Sequence, residues 1–182
     1  KPSEKVPLTA NRLAELFLEA GLPEGVFNVV HGGREVVDAL CGHPGIAAIS
    51  FVGSTGVARH VYTEACKHGK RVQSAGGAKN VLLVLPDAEL DATLQAILSS
   101  AFGCAGQRCM AGSLLMGVGH GDQLREQVVE AMNGLALGDP YDDRSAQMGP
   151  VIDDAARDRL FTSIADAEAD GLSLARDGRE GV

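Results

Sequence analysis

Apolar positions recur along the chain at two different spacings. Leu13, Leu16, Phe17 and Ala20 lie three to four residues apart, which predicts an amphipathic helix over residues 8–20. Continuous short apolar runs predict buried strands at residues 26–30, 47–52, 70–75, 81–85 and 113–118. Further helices are expected at residues 35–41, 56–67, 90–101, 122–135 and 153–169. Helices that alternate with short apolar strands indicate an α/β fold with a parallel sheet.

Glycines at positions 76 and 77 interrupt this pattern and predict a hinge between two domains. The first domain would cover residues 1–75 and the second residues 76–182. Asp87, just after the first strand of the second domain, is expected to cap the helix that follows. Cys104, at the far end of that helix, is expected to be a core residue.

Composition and charge then exclude several classes of protein. With 45% apolar and 22% charged residues the chain is globular. A net charge of −8 argues against a nucleic-acid surface, which needs a basic patch. No apolar run approaches the roughly 18 residues that span a bilayer, so no membrane partner is expected. The chain opens without Met or a signal peptide, and we expect a fragment of a longer, cytoplasmic protein.

The four cysteines form no Cys-x-x-Cys pair, and the five histidines are scattered. This spacing favours reduced thiols over disulfides, and it predicts no metal site.

The Gly-Ser-Thr-Gly run at residues 53–56 lies between a predicted strand and a predicted helix. The free N–H groups of a helix N-terminus can hold a phosphate, and Ser54 would add a hydroxyl donor. The residues alone equally allow plain capping by Ser54 or Thr55. No Gly-x-Gly-x-x-Gly motif follows any strand, so the usual dinucleotide fingerprint is absent.

Cys109 is a candidate nucleophile because it lies in a glycine-flanked loop beside Arg108. The thiolate is the reactive form, and nearby positive charge favours it. A buried structural thiol is the alternative that these residues leave open.

Six motifs in order resemble the aldehyde dehydrogenase superfamily, from Lys1 to about Gly171. They are Lys-Pro-Ser-Glu at 1–4, Gly-Leu-Pro with Phe-Asn-Val-Val at 21–30, Ser-Phe-Val-Gly-Ser-Thr-Gly at 50–56, Gly-Ala-Lys-Asn at 77–80, Gly-Gln-Arg-Cys at 106–109 and Met-Gly-Pro-Val at 148–151. The fourth and fifth together are similar to the methylmalonate-semialdehyde dehydrogenase branch. The resemblance implies a Rossmann-like NAD-binding portion joined to part of an α/β catalytic domain.

The resemblance also implies roles for individual residues. Lys1 and Glu4 match positions that hold the adenosine ribose of NAD, and Lys5 is a neighbouring cation. Ser54 matches the serine that binds the pyrophosphate. Two more residues complete the set: Gly76, where main chain approaches the nicotinamide end, and Cys109, which matches the nucleophile.

Ala75 departs from the pattern of the hydrolytic members, which carry a Glu at the corresponding position. Water is a poor nucleophile without a general base, whereas a CoA thiol ionises far more readily. The missing carboxylate therefore favours acyl transfer to CoA, as the branch itself implies. A degenerate copy of the hydrolytic enzyme is the alternative.

The implied reaction is NAD-dependent oxidation of malonate or methylmalonate semialdehyde, which yields acetyl-CoA or propionyl-CoA. Arg108 is a candidate clamp for the substrate carboxylate, with a structural ion pair as its alternative. The family implies a homodimer or homotetramer. A truncated, catalytically inactive nucleotide-binding module is the competing interpretation of the whole chain.

Overall fold

A computed structural model of the chain describes residues 1–179. It divides into two compact units, one from Lys1 to Gly77 and one from Ala78 onward. Residues 180–182, the end of the predicted second domain, lie outside the described part. Each unit contains a pair of parallel strands, which confirms the α/β prediction.

The first unit contains three helices and two strands, in the order α1 (Leu8–Glu19), α2 (Arg34–Gly42), β1 (Ala48–Val52), α3 (Thr55–Lys67) and β2 (Arg71–Ala75). β1 and β2 pair in parallel from Ala48 opposite Arg71 to Val52 opposite Ala75. The sequence accounts for this arrangement, because parallel neighbours need a crossover and α3 supplies it. The carboxyl ends of both strands consequently lie at the same edge.

The core of the first unit forms where α2 and α3 meet this strand pair. Cys41, Val61 and Ala65 are at most 1% exposed, and Ile49 and Val72 of the strands pack against them. Burial raises the pKa of the Cys41 thiol, so this cysteine is a packing residue rather than a nucleophile.

Lys70, which directly precedes β2, is also buried. Its ammonium donates hydrogen bonds to the carbonyl oxygens of His43 and Ile46, at 2.5 and 2.6 Å. A buried ammonium needs such partners, so these contacts fix the loop that enters β1 against the start of β2.

The strand predicted at residues 26–30 is wrong. This segment has no strand partner in the described part of the chain, and Val26 is 65% exposed. Local contacts hold it as a turn instead: the Asn28 amide donates to the Gly25 carbonyl at 2.8 Å, and the Phe27 ring lies 5.2 Å from that of Phe17. Apolar character alone does not make a strand, because the ladder needs a neighbour.

Between residues 78 and 179 the second unit contains two strands and three α-helices, in the order β3 (Asn80–Val84), α4 (Leu90–Phe102), β4 (Gly112–Gly117), α5 (Gly121–Asn133) and α6 (Asp154–Ala169). β3 and β4 are parallel, with one irregularity: Asn80 lies opposite Gly112, but Val81 lies opposite Leu114. The pairing therefore begins with a one-residue bulge on β4, close to the loop that enters this strand.

The capping prediction for Asp87 is wrong by two residues. The carboxylate of Glu89 accepts hydrogen bonds from the N–H groups of Asp91 and Ala92, at 3.1 and 2.7 Å. Asp87 lies in the turn after Pro86, too far before Leu90 to reach those groups. The cap of α4 is thus a glutamate, a residue type that sequence rules rank low for this position.

Candidate functional site

The edge at the carboxyl ends of β1 and β2 is the first candidate region. Ser54 occupies the cap position of α3 with extended backbone, and its side chain makes no capping hydrogen bond. Ser54 is exposed. The structure thus leaves this hydroxyl available at a helix N-terminus, where free N–H groups favour an anion.

Gly76 lies directly against the same helix start. A Cβ added to Gly76 would lie 3.0 Å from Thr55 Cα, which is tighter than most Cβ contacts in proteins. The Gly77 N–H donates to Thr55 Oγ1 at 3.0 Å. The structure therefore brings Gly76 against Thr55, the neighbour of Ser54, and a glycine suits this close backbone approach. Thr55 is the residue that sequence reasoning missed, because its hydroxyl read only as a possible cap.

Lys1 and Glu4 line a depression of about 630 Å³ in the first unit. The Lys1 ammonium donates to the Gly32 carbonyl at 2.7 Å and lies 3.4 Å from Glu4 Oε2. A hydrogen bond from its own backbone N–H, with help from Lys1, holds the pKa of Glu4 below its usual value. An ionised carboxylate beside an ammonium suits a ribose diol, which both donates and accepts hydrogen bonds.

The lining of this depression includes the starts of α2 and α3, through Gly33, Gly56 and Val57, but not Lys5, Ser54 or Gly76. Of the predicted cofactor residues, the structure groups Lys1 with Glu4 and groups Ser54 with Gly76. Lys5 is exposed, and its backbone N–H donates to Ser3 Oγ at 3.2 Å.

A polar pair that sequence reasoning missed lies at the same depression. His60 Nε2 is 2.5 Å from Asp38 Oδ1, and Arg34 Nε is 3.5 Å from the other oxygen. His60 and Arg34 both line the depression. The hydrogen bond from His60 lowers the pKa of Asp38. Helical spacing places Arg34 and Asp38 on one face of α2, but nothing in the sequence links them to α3.

The loop between α4 and β4 is the second candidate region. It begins with a 3-10 turn at Gly103–Gly106, in which Cys104 and Ala105 both have φ of +53°. Side chains avoid this left-handed region, and each such residue costs about 1–3 kcal/mol. Cys104 is exposed, so its expected place in the core is wrong. Cys109 is exposed as well, which does not support the alternative of a buried structural thiol.

Three side chains fix this loop. The Asn80 amide donates to the carbonyl oxygens of Cys109 and Ala111 at 2.8 and 2.9 Å. Gln107 donates to the Cys104 carbonyl at 3.0 Å and accepts from the Ile152 N–H at 2.8 Å. Through this amide, the 106–109 motif contacts Ile152, the residue that directly follows the 148–151 motif.

Arg108 supplies the third contact. Its Nη2 group donates to the carbonyls of Ser99 and Ser100, the latter at 3.1 Å, near the C-terminal end of α4. A cation is favourable there because these carbonyls carry partial negative charge. Its Nε and Nη1 groups make no hydrogen bond within residues 1–179, so a carboxylate clamp by these groups remains a prediction.

Ala75 is the last residue of β2 and is exposed. Its carbonyl accepts from the Gly53 N–H at 3.1 Å, which ties it to the Ser54 turn. Its methyl group can neither accept nor donate a proton.

Within residues 1–179, no group of three or more His, Cys, Asp or Glu side chains is arranged to hold a metal ion. No helix in that part is both long and apolar enough to cross a membrane.

Sequence comparison identifies close relatives of the chain. The model of the aldehyde dehydrogenase family matches residues 1–182. Malonate-semialdehyde dehydrogenase of Halalkalibacterium halodurans is 49% identical over 181 residues, which cover 99% of this chain and 37% of the relative. Malonate-semialdehyde dehydrogenase 2 of Geobacillus kaustophilus is 50% identical with the same coverage.

Solved structures give the same family. Methylmalonate-semialdehyde dehydrogenase of Oceanimonas doudoroffii superposes with a TM-score of 0.90 at 43% identity, over 99% of this chain and 37% of that one. A protein of Sinorhizobium meliloti 1021 is assigned as a methylmalonate-semialdehyde dehydrogenase and was solved in complex with NAD. It superposes with a TM-score of 0.89 at 46% identity, over 98% of this chain and 36% of that one. The chain spans about 37% of the length of the curated relatives it matches. It belongs to the aldehyde dehydrogenase family.

Proposed function

We propose that the protein carrying this sequence oxidises malonate or methylmalonate semialdehyde with NAD and transfers the acyl group to CoA. The products would be acetyl-CoA or propionyl-CoA, CO2 and NADH. The observation that carries the proposal is Cys109: an exposed thiol in a loop that three side chains hold in place. Relatives about half identical in sequence bear the name malonate-semialdehyde dehydrogenase, which supports the choice of substrate.

The first unit is proposed as part of the NAD-binding domain. Lys1 and Glu4 would hold the adenosine ribose, and Ser54 would donate to the pyrophosphate. The depression of about 630 Å³, which Lys1 and Glu4 line, is compatible with this cofactor because it leaves room for a ligand beside the two side chains. Lys5 would add positive charge near the adenosine. When bound, NAD supplies the acceptor for a hydride.

The second unit is proposed as the part that carries the nucleophile. The Cys109 thiolate would attack the aldehyde carbon, so that a C–S bond forms and the carbonyl oxygen becomes an oxyanion. The backbone N–H of Cys109 makes no hydrogen bond within residues 1–179 and is one candidate donor to that oxygen. Loss of hydride from the former aldehyde carbon restores the C=O bond and leaves a thioester on Sγ.

Two steps would complete the cycle. Loss of CO2 from the β-carboxylate leaves its bonding electrons on the adjacent carbon, which takes up a proton. The CoA thiolate then attacks the thioester carbon, and the C–S bond to Cys109 breaks to release the thiolate. Ala75 supports transfer to a thiol over hydrolysis, because no carboxylate at this position would activate water.

Three further assignments are part of the proposal. Nε and Nη1 of Arg108 would hold the substrate carboxylate while Nη2 stays on α4. The protein would assemble as a homodimer or homotetramer. Its thiol chemistry would suit the reducing cytoplasm.

The test is NADH formation by the product of the complete gene, measured with malonate semialdehyde in the presence and absence of CoA. Mass spectrometry would identify the acyl product. We expect acetyl-CoA and turnover that depends on CoA, and the Cys109→Ala variant should form neither NADH nor thioester. Equal rates with and without CoA, with free acid as the product, would contradict the transfer step. The absence of NADH under all conditions would contradict the whole proposal.

A further inference from the structure

The side chain of Asn80 connects β3 to the loop that carries Cys109. It is the first residue of β3, where Gly112 is its partner on β4. Before this pair the ladder has no further rungs, so the carbonyls of the incoming chain lack strand partners. The Asn80 side chain supplies their donors: Nδ2 lies 2.8 Å from the Cys109 carbonyl oxygen and 2.9 Å from that of Ala111.

These two carbonyls bracket the stretch that leads from the nucleophile into the sheet. Ala111 is 6% exposed, whereas Cys109 and Met110 are exposed. A single amide thus holds this surface loop at one buried and one exposed residue. A main chain held at both points has little freedom to rotate the peptide after Cys109, and with it the direction of the thiol.

We infer that Asn80 is a positioning residue for the Cys109 nucleophile, an inference that rests on the proposed function. Its amide fixes the Cys109 peptide by binding the carbonyl oxygens of Cys109 and Ala111. Without that amide, the carbonyl of Cys109 itself would be free to accept a hydrogen bond from the S–H group, which favours the unreactive protonated form. Asn80 does not touch the reacting atoms. It acts through the backbone of the loop.

The sharpest variant is Asn80→Asp, since it keeps the shape of the side chain but replaces the donor by an acceptor. Asn80→Ala removes both shape and donor. Asn28→Asp is the matched control, because the Asn28 amide also donates to one backbone carbonyl, at 2.8 Å, but lies in the first unit. Thermal unfolding of each variant would establish that it is folded.

The first measurement is the rate at which iodoacetamide alkylates Cys109, relative to Cys66, counted on peptides by mass spectrometry. Cys66 is exposed and lies in the first unit, outside the loop that Asn80 contacts, so it serves as an internal standard. We expect the ratio to fall at least threefold in Asn80→Asp and Asn80→Ala, and to stay unchanged in Asn28→Asp. This reading needs no substrate, so it stands or falls independently of the proposed reaction.

The second measurement is kcat for NADH formation, normalised to the concentration of reactive Cys109 thiol. The KM for NAD is measured in the same assay. A displacement of the reacting group by about 1 Å can lower the rate about 100-fold. We expect kcat to fall about 10- to 100-fold in Asn80→Asp with KM for NAD unchanged. If Asn80 only stabilises the fold, unfolding would occur at lower temperature while the alkylation ratio and kcat per site stayed at the unsubstituted values. That result would overturn the inference.

Discussion

The turn at residues 53–56 and the loop at residues 103–109 both carry candidate chemistry, but different forces hold them in place. The turn joins β1 to α3, and the Ala75 carbonyl and the Thr55 hydroxyl tie it to β2 and to Gly77. Its geometry follows from regular elements. The loop contains two non-glycine residues with φ of +53°, and it is held by the Asn80 side chain and by its own Gln107 and Arg108 side chains.

This difference has a physical consequence for substitution. Many backbone hydrogen bonds share the stabilisation of a regular element. A substitution of one side chain at the turn should therefore change the affinity for NAD only by a modest factor. The loop concentrates its support in three side chains, and its strained backbone persists only while they hold it. Substitutions in the loop should therefore have larger and more abrupt effects than substitutions at the turn.

The largest effect is expected at Cys109 itself. Cys109→Ser should lower dehydrogenase turnover by roughly a thousandfold or more, because an alcohol is far less acidic than a thiol and forms the attacking anion far less readily. Cys104→Ser is the matched control and should keep most of the activity, since Cys104 is equally exposed in the same loop. The measurement is NADH formation with semialdehyde and CoA. If activity were lost when Cys104 alone was alkylated, the assignment of Cys109 as the nucleophile would be wrong.

The next largest effect is expected at Ala75. A positioned general base typically contributes about 100- to 10,000-fold, and an unoptimised one should reach the low end at most. Ala75→Glu should thus raise the CoA-independent rate by up to roughly 100-fold and lower the CoA-dependent rate. NADH formation by both proteins, each with and without CoA, measures the two effects. If Ala75→Glu left the CoA-independent rate unchanged, a carboxylate at position 75 would not be able to activate water toward the acyl group.

A smaller effect is expected at the turn. Gly76→Ala would place a Cβ 3.0 Å from Thr55 Cα, and the neighbouring backbone must give by a few tenths of an ångström. Overpacking of this kind costs about 1–3 kcal/mol, so the Kd for NAD should rise about fivefold or more. Gly121→Ala is the control, because a Cβ there meets nothing within 4 Å. Binding of NAD by titration calorimetry is the measurement, and equal affinity in both variants would remove Gly76 from the cofactor site.

The smallest effect is expected at Asp38. The His60 hydrogen bond lowers the pKa of this carboxyl, so the pair stabilises the folded unit above the ordinary aspartate value of 3.8. That contribution is lost as pH falls through the lowered pKa. His60→Leu removes this donor and should raise the Asp38 pKa toward its ordinary value, as carboxyl NMR titration would measure. An unchanged midpoint would mean that another group supports the Asp38 charge.

Most helices and four of the five strands were predictable because each leaves a local trace. α3 and α4 have apolar residues at helical spacing, and β1 to β4 are short apolar runs of the right length. Residues 26–30 have the same trace and form no strand, since pairing depends on a neighbour that local pattern does not reveal. The cap at Glu89 was not predicted, because a residue can cap a helix only if the helix begins directly after it, and the sequence does not fix that start to within one residue.

The sequence by itself determined the parallel α/β class, the glycine at position 76 and the motif around Cys109, because propensity, spacing and residue chemistry are local. The tertiary structure decided which distant groups meet. Asn80 reaches the Cys109 carbonyl across 29 residues, and Gln107 reaches Ile152 across 45. Those contacts depend on how strands register and how a loop turns, and both are properties of the folded chain as a whole.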